Sequence, residues 1–166
     1  MNDIRLVIPQ IIHEKEVMEF RQEFLDVNEK ISGGNALEQA VNYEDWLKNK
    51  YIPFYGDVKE LVYLAIGDDM LIGICDIRLT SNDFILNFAG EIGYSVRPSL
   101  RGRGYATKIL QSALTETSKQ GFKRILVTCN EPNVASAKVI ERNGGVFKSI
   151  IRHPGFPNVK RYCIVL

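Results

Sequence analysis

Histidine, tryptophan and cysteine are scarce in this chain: its 166 residues include two His, one Trp and three Cys. Cys75, Cys129 and Cys163 are widely spaced and odd in number, which excludes a disulfide framework. Each sits in an apolar run, as buried free thiols do in a reducing compartment. No Cys-x-x-Cys pair exists and His13 and His153 stand far apart, so the clustered ligands of a metal site are missing and no metal is expected. No apolar run approaches the roughly 18 residues that span a bilayer, and no membrane partner is expected. The opening Met1-Asn2-Asp3-Ile4-Arg5 lacks the basic start and apolar block of a secretory signal. These absences predict a cytoplasmic protein. A helix-turn-helix pattern, an aromatic nucleic-acid platform and a basic tail are also absent, and nucleic acid is not an expected partner.

What is present is an ordinary globular composition, 45% hydrophobic and 25% charged, at a length that fits one domain over residues 1–166. The formal net charge of +1 hides an asymmetry. Residues 1–93 hold 8 Lys/Arg against 17 Asp/Glu, whereas residues 94–166 hold 13 against 3. A basic half suits an anionic ligand and an acidic half a cationic one. The alternative is solvated surface charge on both halves.

Short apolar and alternating runs predict strands over residues 4–8, 61–66, 70–79, 91–96, 125–129, 146–152 and 161–165. Apolar residues at helical spacing predict helices over 12–30, 43–51, 102–119 and 134–142. Gly67-Asp68-Asp69 reads as a hairpin turn, Thr80-Ser81-Asn82-Asp83 as a loop, and Gly121 as a helix stop. This order describes one mixed α/β (α+β) domain without repeats or linkers.

The chemistry concentrates in Val96-Arg97-Pro98-Ser99-Leu100-Arg101-Gly102-Arg103-Gly104-Tyr105-Ala106, between a strand and a helix. Pro98 cannot continue a strand ladder. Gly102 and Gly104 allow a sharp turn and a close backbone approach. The first turn of the following helix has unpaired N–H groups and a positive dipole end. Arg101 and Arg103 add charge and donors. Together they describe an anion cradle suited to pyrophosphate. It is neither a P-loop nor a dinucleotide fingerprint, since Thr107 stands where the third glycine of the latter would be.

Arg101-Gly102-Arg103-Gly104-Tyr105-Ala106 resembles the Gln/Arg-x-x-Gly-x-Gly/Ala motif of the GNAT superfamily of N-acetyltransferases, matching at Arg101, Gly104 and Ala106. The order of elements resembles that family along nearly the whole chain. The resemblance implies a mostly antiparallel central sheet with a splay between strands four and five, flanked by helices. It implies acetyl-CoA as cosubstrate and an amine as acceptor; a homodimer is compatible with it. The pantetheine arm would lie in the splay, against backbone groups of Tyr94, Ser95 and Val96. The amides of Arg101 to Ala106 would hold the pyrophosphate. Asn130-Glu131-Pro132-Asn133-Val134-Ala135-Ser136 is similar to the family's Asn-x-x-Ser/Ala segment, which places Asn133 and Ser136 near the cofactor. An N-cap role explains Asn133 equally well.

Acetyl transfer needs a neutral amine, so a base or a water relay must remove a proton from the ammonium. Glu91, at the start of the strand lining the cleft, is the expected base; the alternative is a strand-end carboxylate facing water. His153 has a suitable intrinsic pKa but sits in a loop. Cys129 lacks a neighbour in sequence to activate it for covalent chemistry. Many family members carry a Tyr seven residues after the cofactor Asn, as the acid for the leaving thiolate. Here that position is Ile140. Tyr162 is a substitute in chemistry but not in spacing. The departure leaves a second function open: a GNAT-like domain that binds acetyl-CoA as a sensor or partner-binding module with weak catalysis. By the same resemblance the acceptor would be held by segments carrying Glu38, Tyr43, Trp46, Tyr51, Phe54 and Tyr55. Asp83, Arg152 and Tyr162 belong to the later segments of that group. Trp46 is as readily explained by the core.

Overall fold

The computed structural model describes residues 3–49 and 56–166. Tyr51, Phe54 and Tyr55, expected near the acceptor, lie outside the described residues.

Among the described residues, seven strands and four α-helices run in the order β1 (Arg5–Val7), α1 (Glu14–Asp26), α2 (Tyr43–Asn49), β2 (Glu60–Gly67), β3 (Met70–Arg78), β4 (Ile92–Val96), α3 (Tyr105–Lys119), β5 (Arg124–Asn130), α4 (Val134–Arg142), β6 (Val146–Ile151) and β7 (Val159–Val165). The strands form two antiparallel sheets, β1-β2-β3-β4 and β5-β7-β6. The expected architecture is present: mixed α/β, antiparallel pairing and flanking helices.

The β2–β3 hairpin shows how local chemistry sets the frame. Gly67 pairs with Met70 across a two-residue turn. Asp68 and Asp69 both take left-handed backbone, with φ of 50 and 55, a conformation that short polar side chains tolerate. Strand β3 is then buried on both faces. Ile72 and Ile77 join the core beneath α3, with Ile109, Leu110 and Ala113. Leu71 and Ile74 join a second core with Val17, Phe20 and Phe24 of α1. The spacing of those three residues places them on one face of α1. Helices thus cover both faces of the first sheet.

Two helix boundaries and the loop after β3 differ most from the sequence expectation. Helix α1 ends at Asp26 rather than near residue 30, with Asn28 at φ 53 just beyond. Helix α3 starts at Tyr105 rather than 102, because Gly102 and Gly104 take φ of 76 and 81. The loop after β3 contains a single π-turn, Ile85–Ala89, closed by the Gly90 amide on the Ile85 carbonyl at 2.8 Å. No helix among the described residues is long and apolar enough to cross a membrane.

Candidate active site

The two sheets meet at one end and part at the other. At the junction the Glu91 amide donates to the Leu126 carbonyl at 2.7 Å. The Leu126 amide donates to Glu91 Oε2 at 2.7 Å, and Ser81 Oγ donates to Oε1 at 3.0 Å. Beyond this point β4 pairs with β3 and β5 with β7, with no ladder between β4 and β5. The opening forms part of a cleft of about 1010 Å³. Glu91 does not line it. The Glu91 carboxylate, expected as the base, has both oxygens occupied by protein donors and ties β5 to the root of the splay. The side chain is a strand-end carboxylate, but one bound to backbone rather than to water.

On one side the cleft is lined by Tyr94, Ser95 and Val96 of β4, by Arg101, Gly102 and Gly104, and by Tyr105, Ala106 and Thr107. Gly104 is the N-cap of α3, and no side chain caps that helix. The first amides of α3 therefore open into the cleft at the positive end of the helix dipole. A side chain on Gly102 would meet nothing within 4 Å, so backbone conformation rather than crowding requires glycine there. This cradle fits a pyrophosphate through backbone donors. The two arginines act differently from expectation. Arg103 is exposed and does not line the cleft. Arg101 makes a two-pronged ion pair with Glu29, at 3.0 and 2.7 Å, and its guanidinium lies 5.3 Å from the centre of the Phe24 ring. The Arg101 hydrogen bond holds the Glu29 carboxyl below its ordinary value, against a smaller opposing effect of burial. Glu23 of α1 reinforces this latch, pairing with Arg97 at 3.1 Å and accepting from the Ser99 amide at 3.0 Å.

Asn133, Ala135, Ser136, Lys138, Val139 and Arg142 line the opposite side, with Cys129 and Asn130 of β5. Asn133 Oδ1 accepts from the Ser136 amide at 3.0 Å, so it caps α4 and borders the cleft at once. Tyr94 Oη and Ser136 Oγ share a hydrogen bond of 2.9 Å across the splay. Burial pushes the Tyr94 hydroxyl up to about 12, so it stays protonated at neutral pH. Burial also raises the Cys129 thiol, which keeps it neutral and unsuited to nucleophilic attack. Ile140 is fully buried in the core. Tyr162 donates to Glu141 Oε1 at 3.3 Å and does not reach the cleft.

The cleft continues beneath the loop between α1 and α2, a part that sequence reasoning largely missed. Asp76 and Arg78, two residues apart on β3, form a buried ion pair of 2.9 Å at 2% and 3% exposure. Asp76 Oδ1 accepts from the Gly93 amide at 2.7 Å. Arg78 donates to the Ala89 and Gly90 carbonyls at 2.8 and 2.7 Å. The signal was present in Cys75-Asp76-Ile77-Arg78: opposite charges on one face of an otherwise apolar strand must pair when buried. Gly33, at φ 77, lies against the Gly93 carbonyl, where any side chain would collide. A second missed feature is a column of rings. His153 stacks on Phe88 at 4.2 Å and on Phe156 at 4.6 Å, and meets Phe84 edge-on at 6.5 Å. Phe84, Phe88 and His153 line the cleft. Of the residues expected near the acceptor, Glu38 lines it, whereas Asp83 and Arg152 do not. Tyr43 and Trp46 are core: the Tyr43 hydroxyl donates to the Gln10 carbonyl at 2.6 Å and Trp46 Nε1 to the Gly34 carbonyl at 2.9 Å. No group of His, Cys, Asp and Glu suited to a metal occurs among the described residues.

This geometry has known counterparts. Solved structures of the same fold include the acetyltransferase that modifies the N-terminal serine of ribosomal protein L7/L12 from Salmonella typhimurium, at 19% identity, covering 100% of this chain and 96% of that one with a TM-score of 0.69. RimJ from Mycobacterium smegmatis, in complex with CoA-disulfide, matches at 17% identity over 98% and 81% of the chains with a TM-score of 0.73. The microcin C7 self-immunity acetyltransferase MccE, in complex with acetyl-CoA and AMP, matches at 15% identity over 100% and 94% with a TM-score of 0.69. At these identities the likeness is one of fold. Among curated proteins, none matches this sequence. The profile of the acetyltransferase (GNAT) domain matches residues 2–146, and the chain belongs to the GNAT acetyltransferase family.

Proposed function

We propose that the protein transfers an acetyl group from acetyl-CoA to a primary amine of a small molecule or protein by direct attack. The uncapped N-terminus of α3 opening into the splay between β4 and β5 carries this reading. The amides of residues 102–106 would bind the pyrophosphate, and the free edge of β4 at Tyr94, Ser95 and Val96 would hold the pantetheine. Asn133 and Ser136 would close the opposite wall. Lys138 and Arg142 place cations on the same rim. Arg101 would act from its latch with Glu29 as a fixed support for the cradle. When bound, acetyl-CoA supplies an activated acetyl thioester.

The leaving thiolate has a pKa near that of a free thiol, so a hydrogen bond suffices to stabilise it and a strong acid is unnecessary. The Tyr94–Ser136 hydroxyl pair lies in the cleft between the two walls and would supply that bond. This answers the absence of the usual Tyr at position 140 and favours an active enzyme over a sensor. The Salmonella typhimurium relative modifies a protein N-terminal serine, which suits a cleft open to a protein α-amine as well as to a small amine. The test is a thiol-release assay with acetyl-CoA and a panel of primary amines and N-terminal peptides. Amine-dependent release is expected. Tight acetyl-CoA binding with no release for any acceptor would support the sensor instead.

A further inference from the structure

Among the described residues, the cleft contains one shielded carboxylate oxygen without a hydrogen-bond partner. Glu38 lines the cleft, and its Oε2 is shielded from water without a hydrogen-bond partner among the described residues. Leaving a buried carboxylate oxygen unpaired is costly, and such an atom calls for a ligand, an ion or a catalytic use. The other two carboxylates lining the cleft are neutralised, Glu29 by Arg101 and Asp76 by Arg78.

The backbone that carries Glu38 is firmly held. Arg21 of α1 donates to the carbonyls of Leu37, Glu38 and Ala40, at 3.0, 3.2 and 3.0 Å. Leu37 beside it is fully buried in the α1–α2 core. Trp46 fixes the Gly34 carbonyl, and Ser95 Oγ of β4 fixes that of Ser32 at 2.9 Å. The turn thus fixes where the Glu38 side chain starts, beside the cleft. Its unpaired oxygen is available to a cation arriving from the cleft.

The same cleft offers an apolar surface. Phe84 is 44% exposed, and Phe156, which stacks on the cleft-lining His153, is 65% exposed. Neighbouring exposed rings at the edge of a pocket mark a surface that binds apolar or planar groups.

We infer that Glu38 seats the ammonium of the acceptor, and that the Phe84–Phe88–His153 wall receives its body. The preferred acceptors are then primary amines attached to a planar or apolar group. The inference rests on the acetyl-transfer reading for its biological sense, but its test needs no acetyl donor.

The test is an NMR titration of the full chain at pH 7 with 2-phenylethylamine, which is protonated there, and with its neutral analogue 2-phenylethanol. The wild type should prefer the amine by about 10- to 100-fold, the worth of one charge-assisted hydrogen bond. Glu38→Gln should reduce that preference to within about twofold while the amide still fills the turn. Phe88→Leu should weaken both probes by several-fold and keep the preference. A wild type without preference, or a Glu38→Gln protein that retains it, overturns the ammonium seat whether or not the variant folds well. Unchanged affinities in Phe88→Leu overturn the aromatic wall. A separate calorimetric titration with acetyl-CoA tests the transferase reading, so the two failures are distinguishable.

Discussion

Single residues in this protein act mainly through what they hold. Glu91 accepts from a backbone amide on β5 and from Ser81. Glu91→Ala should therefore cost about 1–3 kcal/mol in denaturant unfolding, as buried acceptors do when removed. A Glu91→Gln enzyme should keep the shape of its pH–rate profile, because both carboxylate oxygens are held by protein donors. Gly104 matters for conformation: at φ 81 a β-branched residue is strongly disfavoured. Gly104→Val should weaken acetyl-CoA binding by at least about tenfold in calorimetry by displacing the first amides of α3. Glu29 gives a pH signature. Its carboxyl is held below the ordinary 4.5 in the folded state, so its pairing energy is fully present above that value. It is lost as pH falls through the depressed folded value. The pair is nearly half exposed, so Glu29→Gln should flatten the acid limb of the stability curve by no more than about 1 kcal/mol.

Elements explain which parts of the site were legible in the sequence. The cradle was legible because its determinants are local: a strand, Pro98, two glycines and an amphipathic helix, contiguous in the chain. Asn133 was legible for the same reason, as a cap four residues after a strand. The rest of the cleft was less legible, Glu38 excepted, because its members come from β3, the α1–α2 turn, the π-turn and the β6–β7 loop. Only their packing brings Asp76, Glu38, Phe88 and His153 to one cleft. The π-turn itself has no period that short-range patterning detects. The role of Glu91 in joining the sheets was hidden for a similar reason, since its partner Leu126 is 35 positions away. Two element-level outcomes follow. Breaking the buried pair on β3 by Arg78→Met should cost about 3–5 kcal/mol in chemical denaturation, because it strands the Asp76 charge. Removing the hydroxyl that links β4 to α4, by Tyr94→Phe, should lower kcat about tenfold with little change in acetyl-CoA affinity.

At the scale of the whole molecule, the fold is two antiparallel sheets joined at Glu91 and Leu126 and parted beyond them, and the parting opens into the cleft. The first sheet, with α1 and α2, comes mostly from the acidic half of the sequence and brings Glu29, Glu38 and Asp76 to the cleft. The second half brings the α3 cradle and the cationic rim of α4. The charge asymmetry along the chain thus becomes a division of labour across one cleft. Family membership fixes the fold and the class of enzyme; the Tyr94–Ser136 pair and the buried Ile140 are features of this chain's own cleft and core. The most direct test of the central claim is amide hydrogen exchange of the whole chain with and without acetyl-CoA. The predicted result is added protection at residues 94–96 and 102–107, with a smaller effect around 133–136. Unchanged exchange at 102–107 alongside demonstrable acetyl-CoA binding would contradict it.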